Sequence, residues 1–233
     1  MDDIIQIKSL TKSYGGEAFI EELDLNIKKG SVYGLLGPTG SGKSTLIKLI
    51  LGLLKADKGE ILIGEEKVSS ETKKRISYLA DINPLYPNFS ARDFVKIYGD
   101  FYEDFDGEAA LNILDFLSVP LNKENRKLSK GQRKRLRIGL ALGRNAEVFL
   151  LDEPMEGLDL LGVDGFLDII IRKLDEGASF LIAGHKLREL ENILDYVIFL
   201  NKGRIILEEE TSKIRRDKQM GMADYYKEVY GLL

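Results

Sequence analysis

Nine consecutive residues carry the strongest chemical signal in the sequence: Gly37, Pro38, Thr39, Gly40, Ser41, Gly42, Lys43, Ser44 and Thr45. They fit the pattern G-x-x-x-x-G-K-[ST] and stand between an apolar run and an amphipathic stretch, the context in which that pattern binds phosphate. The glycines let the loop curl until successive backbone N–H groups point at phosphate oxygens. A helix starting near Lys43 adds the positive end of its dipole. Lys43 would bridge β- and γ-phosphates, and the Ser44 hydroxyl would hold Mg²⁺. A chance glycine-rich turn is the alternative; the four fixed positions recur by accident in about 1 in 100 chains of this length. Correct placement between strand and helix lowers that further.

A second signal is Val148-Phe149-Leu150-Leu151-Asp152-Glu153-Pro154. Four apolar residues followed by acids describe a buried strand that delivers carboxylates at its C-terminal end, the edge where open α/β sheets bind ligands. Asp152 would hold Mg²⁺, and Glu153 is the candidate general base for an attacking water. Taken alone, the segment reads equally well as a strand ending in two solvated acids.

Other elements must position these groups. Apolar runs at Val32–Leu36, Glu60–Ile63, Ile76–Leu79, Val148–Leu151, Phe180–Ala183 and Tyr196–Leu200 predict strands, and Asn201-Lys202-Gly203 predicts a turn into Arg204–Leu207. Helical stretches are expected at about Lys43–Leu54, Gly131–Gly143, Leu160–Glu176 and Leu187–Leu194. Alternation of buried strands with helices implies an α/β fold built on a mainly parallel sheet covered on both faces. Residues 84–144 differ: Phe94, Ile97, Tyr98 and Phe101, then Leu111, Leu114 and Leu117, recur at helical spacing, which predicts a helical insertion. The segment from about Thr211 reads as a charged helix followed by aromatic residues. One domain of 233 residues is expected, with a helical subdomain at about 84–144 and a short helical tail at about 211–233.

Composition narrows the function. With 34 Lys+Arg against 38 Asp+Glu, the net charge is −4, which argues against DNA or RNA as the main partner. The absence of cysteine excludes disulfides, cysteine-ligated metals and thiol catalysis, and a single histidine, His185, excludes multi-histidine metal sites. The acidic start MDDIIQIKSL does not read as a secretory signal. No apolar run approaches the roughly 18 residues needed to span a bilayer. The basic run Arg133, Lys134, Arg135 and Arg137, extended by Arg126 and Lys127, is expected to be a solvated face with some members near nucleotide or partner.

A third motif identifies a family. Leu128-Ser129-Lys130-Gly131-Gln132 resembles the LSGGQ signature of ABC ATPases and falls, as there, between the phosphate loop and the carboxylate strand. It opens a helix with Ser129 near the N-cap, so a hydroxyl, N–H groups and a helix dipole could face a phosphate. Tyr14 resembles the family's aromatic that stacks on adenine, Leu158-Asp159 its D-loop, and His185 its switch histidine on the γ-phosphate. The resemblance spans about Ile5 to Glu209. It implies a P-loop ABC-type core with a mainly parallel sheet, an antiparallel β part and a helical subdomain. It also implies ATP and Mg²⁺ as ligands, and two cassettes, identical or different, closing head to tail around two ATP molecules. Each nucleotide would lie between one chain's P-loop and the other's Ser129, Gly131 and Gln132, with Asp159 at the dimer interface.

Two positions depart from the family pattern. Lys130 replaces a glycine of the signature, and Asp81, after Ile76–Leu79, stands where the family's Q-loop carries glutamine. A carboxylate there can still bind Mg²⁺ or hold a water. These departures, with Ile97–Asp106 (IYGDFYEDFD), resemble a bacterial branch that exports antibiotics or antimicrobial peptides. That branch implies a separate transmembrane permease; the family docks it near Asp81–Asp106, where Tyr86 and Phe89 would suit a coupling helix or else pack the helical subdomain. It also implies a cytoplasmic subunit on the inner face of the cell membrane. The alternatives are a soluble ABC ATPase of an assembly complex, an importer ATPase, and a non-hydrolysing module, which Glu153 disfavours. A GTPase is disfavoured by Arg204, which follows Asn201-Lys202-Gly203 where guanine recognition requires aspartate.

Overall fold

A computed structural model of the chain describes residues 2–81, 85–184 and 187–231. The main sheet has six strands in the order β10-β9-β3-β8-β7-β6. Its members are β3 (Val32–Leu36), β6 (Ile76–Leu79), β7 (Val148–Asp152), β8 (Ser179–Gly184), β9 (Tyr196–Asn201) and β10 (Arg204–Glu210). The first five run parallel, and β10 pairs antiparallel at one edge. Every residue of β3, β7 and β8 is buried, which is why their sequences are apolar throughout. Successive side chains of β7 feed opposite faces: Phe149 and Leu151 join one core, Val148 and Leu150 the other.

The expected strands are present, several one to three residues longer than their apolar runs. The expected helices become α1 (Lys43–Ile50), α5 (Lys130–Leu142), α6 (Leu160–Asp175) and α7 (Leu187–Leu190). α1 stops before Leu54 because the chain turns at Gly52, which adopts a positive φ of 59°.

A second, antiparallel sheet of order β2-β1-β4-β5 covers α1 and was not visible in the sequence patterns beyond one strand. It comprises β1 (Asp3–Tyr14), β2 (Glu17–Lys28), β4 (Lys58–Ile63) and β5 (Glu66–Lys67). The β1–β2 register shifts at four places. Each shift breaks the alternation of period two by which a strand is recognised.

The insertion is helical, as expected: α3 (Ala91–Phe101), α4 (Gly107–Phe116), a 3₁₀ turn at Asn125–Lys127, and α5. Ahead of the insertion, α2 (Ser70–Lys74) lies between β5 and β6. Phe94 and Leu114 are buried, whereas Phe101, on the expected apolar stripe, is 79% exposed. Arg144 fastens this unit to the main sheet. It is 4% exposed, pairs with Asp104 at 2.9 Å, lies 4.2 Å from the centre of the Tyr102 ring, and donates to the carbonyls of Ile76 and Lys74. The IYGDFYEDFD stretch thus supplies the aromatic and acidic halves of a latch. Arg144→Met is expected to destabilise folding by about 3 kcal/mol, because Asp104 and two carbonyls lose their partner. In a thermal melt the midpoint should fall by roughly 6–12 °C; an unchanged midpoint would show the latch to be dispensable.

The tail forms α8 (Thr211–Lys218) and α9 (Met222–Val229). Its aromatic residues belong to the core: Tyr225, Tyr226 and Tyr230 surround Phe199. The Tyr230 hydroxyl donates to the carbonyls of Leu200, at 2.9 Å, and Leu36, at 3.3 Å, bracing the strand ends beside Gly37.

Candidate active site

Parallel register brings the expected groups to one edge of the sheet. Leu79 pairs with Leu151, Asp152 with Ala183, and Leu36 with Gly184. The segments beyond β3, β6 and β7 therefore emerge together, and they carry the P-loop, Asp81 and Asp152-Glu153.

The P-loop is built by close approach. A Cβ on Gly37 would lie 2.2 Å from the Leu200 carbonyl and 2.5 Å from Ser41 Oγ, so no other residue fits there. Ser41 N–H donates back to the Pro38 carbonyl at 3.1 Å, and Gly203 N–H in the β9–β10 turn donates to the Ser41 carbonyl at 2.8 Å. Gly42 caps α1 in a left-handed conformation with φ 112°, and no side chain caps this helix. The first-turn N–H groups thus point into the loop with no intrahelical acceptor, the arrangement a phosphate would complete. Ser41 Oγ is buried without a hydrogen-bond partner among the described residues.

Lys43 is 9% exposed and its ammonium donates to the carbonyls of Gly37, at 2.6 Å, and Pro38, at 3.2 Å. Burial pushes its pKa down, while Glu153 and Asp152 pull it up. Asp152 is 3% exposed at the end of β7. Burial raises its pKa, opposed by a hydrogen bond to the Ser44 hydroxyl and by the charge of Lys43. Glu153 follows with φ 48°, a left-handed conformation costing about 1–2 kcal/mol in a residue with a side chain. Its N–H donates to the Ala183 carbonyl at 2.9 Å, and its carbonyl accepts from Lys134 Nζ at 2.6 Å. Such strain at a ligand cleft is a mark of function.

These groups line one cleft of about 400 Å³: Thr39, Gly40, Ser41, Gly42, Lys43, Ser44, Thr45, Asp81, Asp152 and Glu153, joined by Phe19 and Glu156. Among the described residues no three His, Asp or Glu gather into a metal site. Ser44 beside Asp152 nevertheless fits Mg²⁺, which takes one or two protein oxygens and draws the rest of its shell from phosphates and water.

Phe19 was missed by sequence reading. It lies on β2, whose pattern the bulges obscure, and it meets Tyr14 edge-on at 5.7 Å. Tyr14 is 48% exposed at the far end of β1 and does not itself line the cleft. Ser129, Gly131, Gln132 and Asp159 lie elsewhere. Ser129 and Gln132 form a capping box at the start of α5, and Asp159 caps α6 through Gly162 N–H at 2.9 Å while pairing with Arg135. That capping amide and Arg135 hold the Asp159 carboxyl below its usual pKa. His185 lies outside the described residues.

The basic run is only in part the expected solvated face: Arg126 and Lys127 are exposed, whereas the members on α5 engage protein groups. Lys134 is 3% exposed on Glu153, Arg137 donates to the Asp81 carbonyl at 2.9 Å, Arg135 pairs with Asp159, and Arg133 donates to the Leu128 carbonyl. On a helix these positions fall on several faces, and those toward the core are drawn to loop carbonyls and acids.

Residues 20–156 match the ABC transporter family. The chain belongs to that family. A lantibiotic transport ATP-binding protein of Streptococcus pyogenes, SrtF, is 34% identical over 212 residues, covering 89% of this chain and 91% of the relative. The bacitracin transport ATP-binding protein BcrA of Bacillus licheniformis is 33% identical over 216 residues, covering 89% of this chain and 70% of the relative. The solved ATP-binding subunit of an ABC transporter superposes with a TM-score of 0.87 at 23% identity, covering 97% of this chain and 99% of that one, and shares the fold. The ATP-binding cassette MJ0796, a dimer in a post-hydrolysis state with ADP and Pi, gives 0.79 at 25% identity over 89% of this chain and 98% of that one. This ABC protein is an ATP-binding ATPase subunit. Among its described residues no helix is long and apolar enough to cross a membrane.

Proposed function

We propose that the chain hydrolyses Mg-ATP in this cleft as one of two cassettes, and so powers export of an antimicrobial peptide or antibiotic through a separate membrane subunit. The observation that carries the ATPase reading is the convergence of Lys43, Ser44, Asp152 and Glu153 on one cleft. The cargo class rests on relatives whose names give lantibiotic and bacitracin transport and linearmycin resistance.

The residues divide the work. Loop N–H groups and Lys43 bind the phosphates, and Tyr14 with Phe19 offers aromatic surface to the base. Ser44 and Asp152 would hold Mg²⁺, with Asp81 as a further oxygen ligand or water holder; the ion, when bound, neutralises charge on the phosphate oxygens. Glu153 takes a proton as water attacks the γ-phosphorus and the bond to the β-phosphate oxygen breaks, giving ADP and phosphate. His185 is assigned to the γ-phosphate. Ser129, Gly131, Gln132 and Asp159 lie outside this cleft at helix starts, and we assign them to the second cassette's nucleotide and to the dimer interface. Exposed Tyr86, Phe89, Leu160 and Leu161 offer apolar surface to membrane and cassette partners.

The test is recovery of the tagged chain from gently solubilised membranes of its own cell. A polytopic membrane protein in comparable amount is expected. Recovery only with soluble partners would replace the transporter by an assembly ATPase and leave the hydrolytic site standing.

A further inference from the structure

One face of α5 grips both acid-bearing loops. Lys134 Nζ donates to the Glu153 carbonyl at 2.6 Å, and Arg137 donates to the Asp81 carbonyl at 2.9 Å. The two residues are three apart, hence neighbours on one helix face. Both grips are on peptide oxygens, which fixes the backbone while the acid side chains line the cleft. At Glu153 the grip matters most: its left-handed backbone is uphill for a residue with a Cβ, and it is held from both ends, by Ala183 and by Lys134. Burying Lys134 to 3% exposure is costly for an ammonium, so a neutral apolar residue would pack here at less expense.

We propose that Lys134 and Arg137 are positioning residues for hydrolysis, holding Glu153 and Asp81 against the P-loop. Resting on the function proposed above, the arrangement also links two sites. Ser129 caps α5 at the end assigned to the second cassette's nucleotide, and Lys134 lies five residues along, about 7.5 Å on by helical rise. Docking of the helix end would then bear directly on the backbone of Glu153.

The test compares the parent chain with Lys134→Met, Lys134→Gln and Arg137→Met. ATP affinity is read by displacement of a fluorescent ATP analogue, folding by thermal melts, and turnover by phosphate release. For Lys134→Met we expect kcat to fall at least 30-fold with Kd within about twofold. Lys134→Gln, which restores a neutral donor, should recover kcat to within about fivefold of the parent. Arg137→Met should lower kcat about tenfold at unchanged Kd, and it carries the test if Lys134→Met does not fold. A kcat within threefold of the parent in both Met variants would overturn the proposal. So would loss of affinity parallel to loss of rate, without recovery in Lys134→Gln, because that is the behaviour of a merely structural residue. If the parent itself does not hydrolyse ATP, the site reading fails and takes this proposal with it; a parent that turns over beside indifferent variants overturns the proposal alone.

Discussion

Glu153→Gln is expected to lower ATP turnover about 10³-fold while leaving ATP affinity within about twofold. The amide matches the carboxylate in size, so the cleft keeps its shape. The backbone bonds to Ala183 and Lys134 do not involve the side chain, so the left-handed conformation persists. What is lost is the group that accepts the proton of the attacking water. Binding without hydrolysis should then arrest the proposed cycle in its closed form, and the variant should elute as a dimer in saturating Mg-ATP and as a monomer in ADP. Full turnover, or a monomer in saturating Mg-ATP, would remove Glu153 from the role of base.

Which parts of the fold could be read from sequence follows from how each element is buried. β3, β7 and β8 are covered on both faces and therefore spell out continuous apolar runs. β1 and β2 are covered on one face and bulged, so neither the run nor the alternation survives. Helix ends shift where local chemistry overrides periodicity, as at Gly52 after α1. The stripe ending at Phe101 is a core face only in part: Phe94 enters the core, while Phe101 remains in solvent.

Site residues follow a similar rule. Lys43, Ser44, Asp152 and Glu153 are contiguous with the strand ends that place them, so motif and position coincide. Lys134 and Arg137 act across the fold, over sequence separations of 19 and 56. A run of basic residues says nothing about which loops will stand opposite it, so the sequence could place them on a helix but not against Glu153 and Asp81. Asp159 was legible both as a helix cap and as an interface residue. Its bond to Gly162 N–H shows the first role, and the second belongs to the proposed dimer.

Lys43→Ala is expected to fail one step earlier than Glu153→Gln, at nucleotide binding. Hydrogen bonds to charged groups contribute about 1.5–3 kcal/mol, so ATP affinity should fall between about tenfold and 150-fold. The apo protein should not suffer equally. Lys43 is a cation whose burial lowers its pKa, which means that at neutral pH its charge is opposed by the fold. Removing it relieves that opposition, while the Gly37 and Pro38 carbonyls lose a donor and buried Asp152 loses a neighbouring cation; these effects oppose one another, and the apo midpoint should stay within a few degrees of the parent. Ligand stabilisation separates binding from folding. In the parent, Mg-ATP at about 100 times its Kd adds about 2.7 kcal/mol, a rise of roughly 5–10 °C for a chain of this size. The same concentration should raise the Lys43→Ala midpoint by about half as much or less. A full rise in the variant would show that the phosphates are held by the loop N–H groups without Lys43.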